Sequence, residues 1–449
     1  MERLSGFESY LLQADSAAAP GHVSALGIYD PAGRHIDFAA IQSYLAARVH
    51  RHGMFRRRLA TLPLGLGRPF WVDEAQFDIE YHVRHIALPR PRDWTQLCTV
   101  VARLHARPLD LTRPLWECYV IEELDNVPGQ AAGSFAVLIK VHNAALGGEL
   151  ETELLAALHE LSAGSQASAP KERPYFDAAP AVLGLALRNA MAAAALPLEL
   201  GRYLLAHVAP VLHAGGARAK ALAAPACRLN RRLSSHRMVG GATFARAALE
   251  ALCARAGAGD VHDVVLSLIG GALRRHLRAH MDLPDTSLLA EVALRSAQGP
   301  GRRGRANSAG LALHTGVSDP LERLRRISAG THAARGNARS YLGRRLALDA
   351  LEFVPTVLLG VAGKALQASV NTSVARVQGP QAPLYFAGSR LAHLFTLPPL
   401  RGAVGLAHTV TYYCDEVTIG VSACRNVLPD TARYAAFLNQ EFDELLGAA

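Results

Sequence analysis

A chain of 449 residues, half of them hydrophobic and 19% charged, can bury more than one core, and two domains of roughly 150–200 residues each are expected. The composition excludes a disordered or fibrous chain. The formal charge of +9 gathers in arginine clusters, Arg56-Arg57-Arg58, Arg231-Arg232 and Arg302-Arg303-Gly304-Arg305, that attract anions in general; no zinc-finger spacing or aromatic RNA-binding strand accompanies them, so nucleic acid is set aside.

The opening "MERLSGFESYLL" lacks the apolar core of a signal peptide, so no secretion is expected. The six cysteines show neither a C-x-x-C pair nor disulfide spacing, as in reduced cytosolic proteins. From Phe38 onward helix and strand patterns alternate. "FAAIQSYLAARVHRH" has helical apolar spacing, "FDIEYHVRHIAL" alternates as a strand, and "WTQLCTVVARLHARPL" is helical again. "CYVIEEL" and "SFAVLIKVHNA" read as strands, the second apolar on both faces and therefore central in its sheet. A strand–turn–helix junction follows at "LIKVHNAALGGEL", with Glu149, Glu151 and Glu153 in the first helical turn, where the helix dipole favours acids.

Residues 163–176 are small, polar and proline-containing, hence a linker, and an alanine-rich helical region follows to about residue 237. Its stretch 178–217 is broken by Arg188, Glu199 and Arg202, so it does not easily span a bilayer. It fits either an interfacial membrane helix or an interdomain helix packed on protein. A second α/β block starts near Met238. "VHDVVLSLIGGALRRHLRAH" is a long helix, "SLLAEVALRS" a strand, "DPLERLRRISAGTHAAR" an amphipathic helix, "GLAHTVTYYCDEVTIGVSAC" a strand pair, and "DTARYAAFLNQEFDELL" a closing helix. The expected division is residues 1–162, a linker and helical crossover at 163–237, and residues 238–449, with an α/β (α+β) fold class.

A histidine at the end of a strand, beside glycines that admit substrate, is a sound place for a general base; a buried structural histidine is the plain alternative for His142. No G-x-S-x-G elbow is present, and His159 and His262 lack metal-ligand spacing, so no metal is expected. Cys414 is a formal candidate nucleophile whose default is a buried inert thiol. Arg295, Arg302, Arg303 and Arg305 suit CoA phosphates or a solvated basic loop.

Several segments in order along nearly the whole chain resemble the bacterial wax ester synthase/diacylglycerol acyltransferase family, within the larger CoA-dependent acyltransferase (condensation-domain-like) superfamily. They are "LSGFESYLL", "FWVDEAQFDIEYHVRHIALPRP", "RPLDLTRPLWECYVIEEL" with Pro114-Leu115-Trp116, "DVHDVVLSLIGGALRRHL", "ARVQGPQAPLYFAGSRL" and "SACRNVLPD". The resemblance implies two chloramphenicol-acetyltransferase-like domains with an active-site tunnel at their interface. It also implies acyl-CoA as co-substrate with no bound cofactor, and a lipid or alcohol acceptor.

The family's signature, His-His-x-x-x-Asp-Gly, falls on His142-Asn143-Ala144-Ala145-Leu146-Gly147-Gly148. The resemblance implies that its second histidine deprotonates the acceptor and that its aspartate holds the loop. Here Asn143 replaces that base and Gly147 the aspartate. An amide cannot take a proton near neutral pH, although it can hydrogen-bond a hydroxyl or a carbonyl oxygen. His142, one residue earlier in a strand, points to the opposite face and needs a bulge or twist to reach in. In the family's Asn-Val-Pro-Gly-Pro segment Arg376 and Gln378 replace the asparagine and first proline while Gly379 and Pro380 remain, and His262 stands for the asparagine before Asp263.

The catalytic candidates are thus His142 and Asn143, and the substrate-binding candidates are Gly147, Gly148, Gly379 and Pro380. The expected activity is transfer of a fatty acyl group from acyl-CoA to diacylglycerol or a long-chain alcohol. The alternative is a catalytically silent relative that binds acyl-CoA or lipid or partners an active paralogue. The expected location is the cytoplasm, with peripheral contact at the inner membrane or a lipid droplet.

Overall fold

The computed structural model describes residues 1–34, 37–63, 67–146, 155–164, 182–204, 224–293, 308–336, 348–361 and 370–448. The first half runs β1 (Glu2–Arg3), α1 (Gly6–Gln13), β2 (His22–Asp30), α2 (Phe38–Ala46), β3 (Arg57–Ala60), β4 (Phe70–Asp73), α3 (Ile79–His82), β5 (Val83–Ala87), α4 (Trp94–Ala106), β6 (Trp116–Glu122), β7 (Phe135–His142) and α5 (Val182–Tyr203). The second half runs β8 (Arg237–Ala245), α6 (Arg246–Ala256), α7 (Val261–Ala279), β9 (Leu289–Ala293), β10 (Ser308–Ala312), α8 (Pro320–Gly336), β11 (Thr372–Gln378), β12 (Tyr385–Phe386), β13 (Ser389–Leu397), β14 (Leu406–Tyr413), β15 (Glu416–Cys424) and α9 (Thr431–Ala448).

Local chemistry sets many of these boundaries. Ser5 and Glu8 form a reciprocal capping box at the start of α1, Asp93 accepts from the Gln96 amide at the start of α4, and Asp260 accepts from the His262 amide at the start of α7. The segment "FDIEYHVRHIAL", read as one strand, divides in two: Asp78 caps the helical turn α3, and only Val83–Ala87 pairs, parallel to β6. The alanine-rich region is likewise shorter than read. Residues 224–236 hold a single 3₁₀ turn at Arg228–Asn230 before β8 begins.

Two mixed sheets of six strands each carry the architecture, in the orders β12-β13-β2-β7-β6-β5 and β10-β9-β11-β14-β15-β8. β7 is buried along its whole length, as its double apolar face requires. On one face Ala136 and Leu138 meet Leu97, Val101 and Leu104 of α4; on the other Val137, Ile139 and Val141 meet Ile41 and Leu45 of α2.

The halves are joined through strands. β13, from late in the chain, pairs antiparallel with β2 of the first sheet. Two glycines let the second sheet approach it closely: a Cβ at Gly420 would lie 2.2 Å from the Thr396 carbonyl oxygen, and one at Gly241 3.0 Å from the Phe395 ring. Thr418 Oγ1 donates to the Leu394 carbonyl at 2.6 Å, and Thr411 and Thr396 hydroxyls meet at 3.3 Å. His105 of α4 completes the seam, its Nδ1 2.8 Å from Ser24 Oγ in the first half and its Nε2 3.2 Å from Ser422 Oγ in the second.

Candidate active site

β2 and β7 pair antiparallel without a bulge, so His22 stands directly opposite His142 and Ser24 opposite Lys140. The two-residue period of a strand places these four side chains on one face, the face that meets α4 and the second half. They are all fully or almost fully buried. Lys140 Nζ donates to Glu117 Oε2 at 3.0 Å and to the Arg107 carbonyl at 2.8 Å, so the buried charge is paired; burial still pulls the Lys140 pKa down.

His142 is held from both sides. The Ala144 amide donates to its Nδ1 at 3.1 Å, which leaves the proton on Nε2, and Nε2 faces Asp15 Oδ2 at 3.3 Å. Asp15, in the turn after α1, accepts from the Gly21 amide through its other oxygen at 2.9 Å. Gly21 packs tightly here: a Cβ would lie 3.0 Å from His142 Nε2 and would press on the ring. The bulge that His142 would need to reach in is absent from the ladder: the ring is aimed at Asp15, and neither ring nitrogen is left free.

After His142 the chain turns into a 3₁₀ helix, Asn143–Leu146. The Asn143 amide donates to the Gly21 carbonyl at 3.0 Å, while its side-chain Nδ2 is buried with no hydrogen-bond partner among the described residues. A buried carboxamide donor without an acceptor is costly, and a ligand carbonyl at that position would satisfy it. A crevice between α1 and the loop at Arg401-Gly402, lined by Tyr10, Ala14 and Ala19, reaches Gly21. On the other side of α1 a cavity of about 130 Å³ lies between Ser9, Leu12, Gln13, Pro69 and Thr356.

The proposed substrate-binding glycines Gly147 and Gly148 lie outside the described residues, as do Arg295, Arg302, Arg303 and Arg305. Gly379 and Pro380 clamp the end of β14: the Gly379 amide donates to the Tyr412 carbonyl at 2.8 Å and the Pro380 carbonyl accepts from the Cys414 amide at 3.2 Å. A Cβ at Gly379 would sit 2.7 Å from the Tyr412 oxygen, so glycine is required for strand contact. No described contact joins this pair to His142 or Asn143. Burial raises the Cys414 thiol pKa, the opposite of what an activated nucleophile needs. His159 is structural, bonded to the Tyr29 hydroxyl at 2.8 Å and held at a pKa of about 4 by burial.

The substituted positions of the second half meet one another. His262 Nδ1 lies 3.2 Å from the Tyr412 hydroxyl, and the Arg376 guanidinium stacks 4.8 Å over the Tyr412 ring while pairing with Asp260 at 3.0 Å. Burial, with Arg376 as the next cause, pushes His262 down to about 3.

Comparison with known proteins decides the family. The wax ester synthase/diacylglycerol acyltransferase catalytic domain matches residues 4–265, and the C-terminal domain of the same family matches residues 307–446. The chain belongs to this family. A "Putative diacyglycerol O-acyltransferase" of Mycobacterium tuberculosis is 31% identical over 99% of this chain and 90% of its own length. One of Mycobacterium bovis is 31% identical over 99% of this chain and 91% of its own. The solved wax ester synthase/diacylglycerol acyltransferase of Marinobacter aquaeolei VT8 is 26% identical, with a TM-score of 0.72 over 99% of this chain and 98% of that one. A starter condensation domain of rhizomide synthetase, solved with C8-CoA, shares the fold at 15% identity, with a TM-score of 0.52 over 100% of this chain and 94% of that one. This family member is thus an acyltransferase with the two-domain fold of its relatives.

Sequence reading found His142 and Asn143 but missed Asp15, His22, His105 and Lys140. A signal was present. Polar residues two apart within apolar strands, His22 and Ser24 in "HVS" and Lys140 and His142 in "KVH", mark a polar strip on one sheet face.

Proposed function

We propose that this acyltransferase moves a fatty acyl group from acyl-CoA to the hydroxyl of a diacylglycerol or a long-chain alcohol, giving triacylglycerol or wax ester. The observation that carries the reading is the buried Asn143 Nδ2, without a hydrogen-bond partner among the described residues, in the turn that follows His142 of the Asp15–His142 pair and bonds to Gly21, the glycine that lines the crevice. In the reaction the acceptor oxygen bonds to the thioester carbonyl carbon, the carbon–sulfur bond breaks, and the acceptor's proton ends on the CoA sulfur. Asn143 Nδ2 suits the carbonyl oxygen, where negative charge develops in the tetrahedral intermediate. His142, with both nitrogens engaged, suits the task of holding the turn that presents Asn143.

The test is release of free CoA from palmitoyl-CoA with a diacylglycerol or hexadecanol. Turnover by the purified protein supports the reading. Saturable acyl-CoA binding without turnover on either acceptor overturns it in favour of a binding role.

We also propose that the protein works in the cytoplasm at a membrane or lipid-droplet surface through α5. Leu185 and Asn189 hold one side of this helix against Phe70, Val72 and Arg68, whereas Leu183, Leu187, Met191 and Leu198 are exposed in one stripe flanked by Arg188 and Arg202. By length and composition alone Leu183–Tyr203 is apolar enough to cross a membrane, but Pro197, Glu199 and the docked side favour lying on it. Flotation with vesicles of anionic lipid is expected to carry the protein and to lose it on Leu187→Glu/Met191→Glu. Flotation unaffected by that double change overturns the proposal.

A further inference from the structure

We propose that His22 is the general base of this enzyme, taking the acceptor's proton in place of the side chain that Asn143 cannot supply; the inference rests on the acyltransferase reading above. His22 opens β2 immediately after Gly21 and stands across the ladder from His142 on the same sheet face. Its Nε2 lies 2.8 Å from the His105 backbone carbonyl. A carbonyl oxygen only accepts, so the proton is fixed on Nε2 and the lone pair is fixed on Nδ1. That Nδ1 is buried and has no hydrogen-bond partner among the described residues.

A base needs this arrangement: one nitrogen tied down to set the tautomer, the other left with a lone pair that no donor occupies. His142 does not have it, since both its nitrogens are occupied. His262 also keeps a free Nε2, but it sits with Tyr412, whose ring belongs to the core of the second half, and not on the polar strip. The carbonyl that orients His22 is itself fixed, because the His105 ring is bonded to Ser24 and Ser422 and stands edge-on to His22 at 5.0 Å. Gly21, the residue immediately before His22, forms part of the crevice wall.

Burial first, then His105, Lys140 and His142, hold the His22 pKa well below the ordinary histidine value, so the base form is the one present at neutral pH. In the reaction the acceptor hydroxyl gives its proton to Nδ1 as its oxygen bonds to the carbonyl carbon. When the carbon–sulfur bond breaks, Nδ1–H returns the proton to the CoA sulfur and His22 is again neutral.

The experiment measures CoA release from palmitoyl-CoA and hexadecanol, with palmitoyl-CoA binding and thermal melting alongside, for the unaltered protein, His22→Gln, and His22→Gln combined with Asn143→His. His22→Gln is expected to lose about 100-fold or more in turnover with acyl-CoA affinity retained, and Asn143→His is expected to restore at least part of the loss by supplying a base from the other strand. A structural role for His22 predicts no such rescue. Unchanged turnover in His22→Gln overturns the inference while leaving the acyltransferase reading intact; no turnover by the unaltered protein on any hydroxyl acceptor overturns both.

If His22→Gln does not fold, the pH dependence of kcat/KM in the unaltered protein decides. The groups facing His22 are His105 from α4, Lys140 and His142 from β7, Asp15 beyond α1, and Glu117 of β6 through Lys140. An acid limb below the ordinary histidine value of 6.5 supports the inference, and a rate still rising through pH 8 overturns it.

Discussion

The end of β7 and the surroundings of Tyr412 both depart from the family's residues, and they do so in opposite ways. Around Tyr412 the two newcomers find partners: Arg376 brings a charge that Asp260 neutralises at 3.0 Å, and His262 reaches the Tyr412 hydroxyl at 3.2 Å. At the end of β7 the newcomer Asn143 leaves its carboxamide donor bare, and the neighbouring His22 keeps a bare lone pair. Substitutions that re-pair buried polar groups are what a core needs, because an unpaired buried group is penalised. Buried polar groups left without a partner are what a ligand can satisfy.

Loss of Asp15 is the strongest way to break this contrast. Asp15→Ala unties both the Gly21 amide and His142, so the turn carrying Asn143 shifts; CoA release is expected to fall about 100-fold, and unfolding in urea to become about 1–3 kcal/mol easier because the buried His142 Nε2–H loses its acceptor. Activity retained in that variant would mean that the Asp15–His142 pair does not hold the site.

Asn143→His sharpens the same contrast. With His22 already supplying a base, exchanging the carboxamide donor for an imidazole is expected to lower CoA release by about 10-fold or more, and a rise would show that the carboxamide does not meet the reacting carbonyl.

For the Tyr412 cluster the expectation is stability without activity. Arg376→Ala leaves Asp260 with Arg335 as its partner at 3.0 Å and is expected to cost about 1–2 kcal/mol in urea unfolding, with CoA release unchanged. In a double-mutant cycle, His262→Asn and Arg376→Asn together are expected to cost less than the sum of the two, by about 0.5 kcal/mol or more, because both act through Tyr412. Strict additivity would show that the two positions are independent.

A pH-dependent effect is shared by both halves of the chain. Burial holds His105 and His262 at about 3 and His408 at about 4, so all three stay neutral in the fold. In the unfolded chain they bind protons as pH drops through 6.5, the ordinary value, so the unfolded state takes up more protons and stability falls. Each is expected to cost about 1 kcal/mol per pH unit below 6.5, the loss levelling off once the folded values are reached, and urea unfolding between pH 7 and 5 measures it. Stability that rises over that range would contradict neutral buried histidines at both places.

Much of the fold could be read from spacing alone. The apolar run ending at His142 predicted a central strand, and β7 is buried throughout; "VHDVVLSLIGGALRRHLRAH" predicted the helix that forms as α7; "GLAHTVTYYCDEVTIGVSAC" predicted the hairpin β14–β15. The crossing strand β13 was not read, because "SRLAHLFTL" lacks clean alternation and its partner β2 lies far back in the chain. The helical turn α3 was hidden inside a strand-like pattern, since a single capping aspartate, Asp78, decides it.

What the sequence determined by itself was chemical identity and local period: no imidazole at position 143, no acid at position 147, and which residues alternate or recur every third or fourth place. Only the tertiary structure decided which histidine keeps a free nitrogen. His142 and His22 are both histidines at the end of a strand. The difference lies in partners brought from elsewhere: Asp15 reaches His142 from 127 residues away, and the His105 carbonyl reaches His22 from 83 residues away. Periodicity is set by neighbours a few bonds apart, whereas the state of a lone pair is set by whichever group the fold brings within about 3 Å.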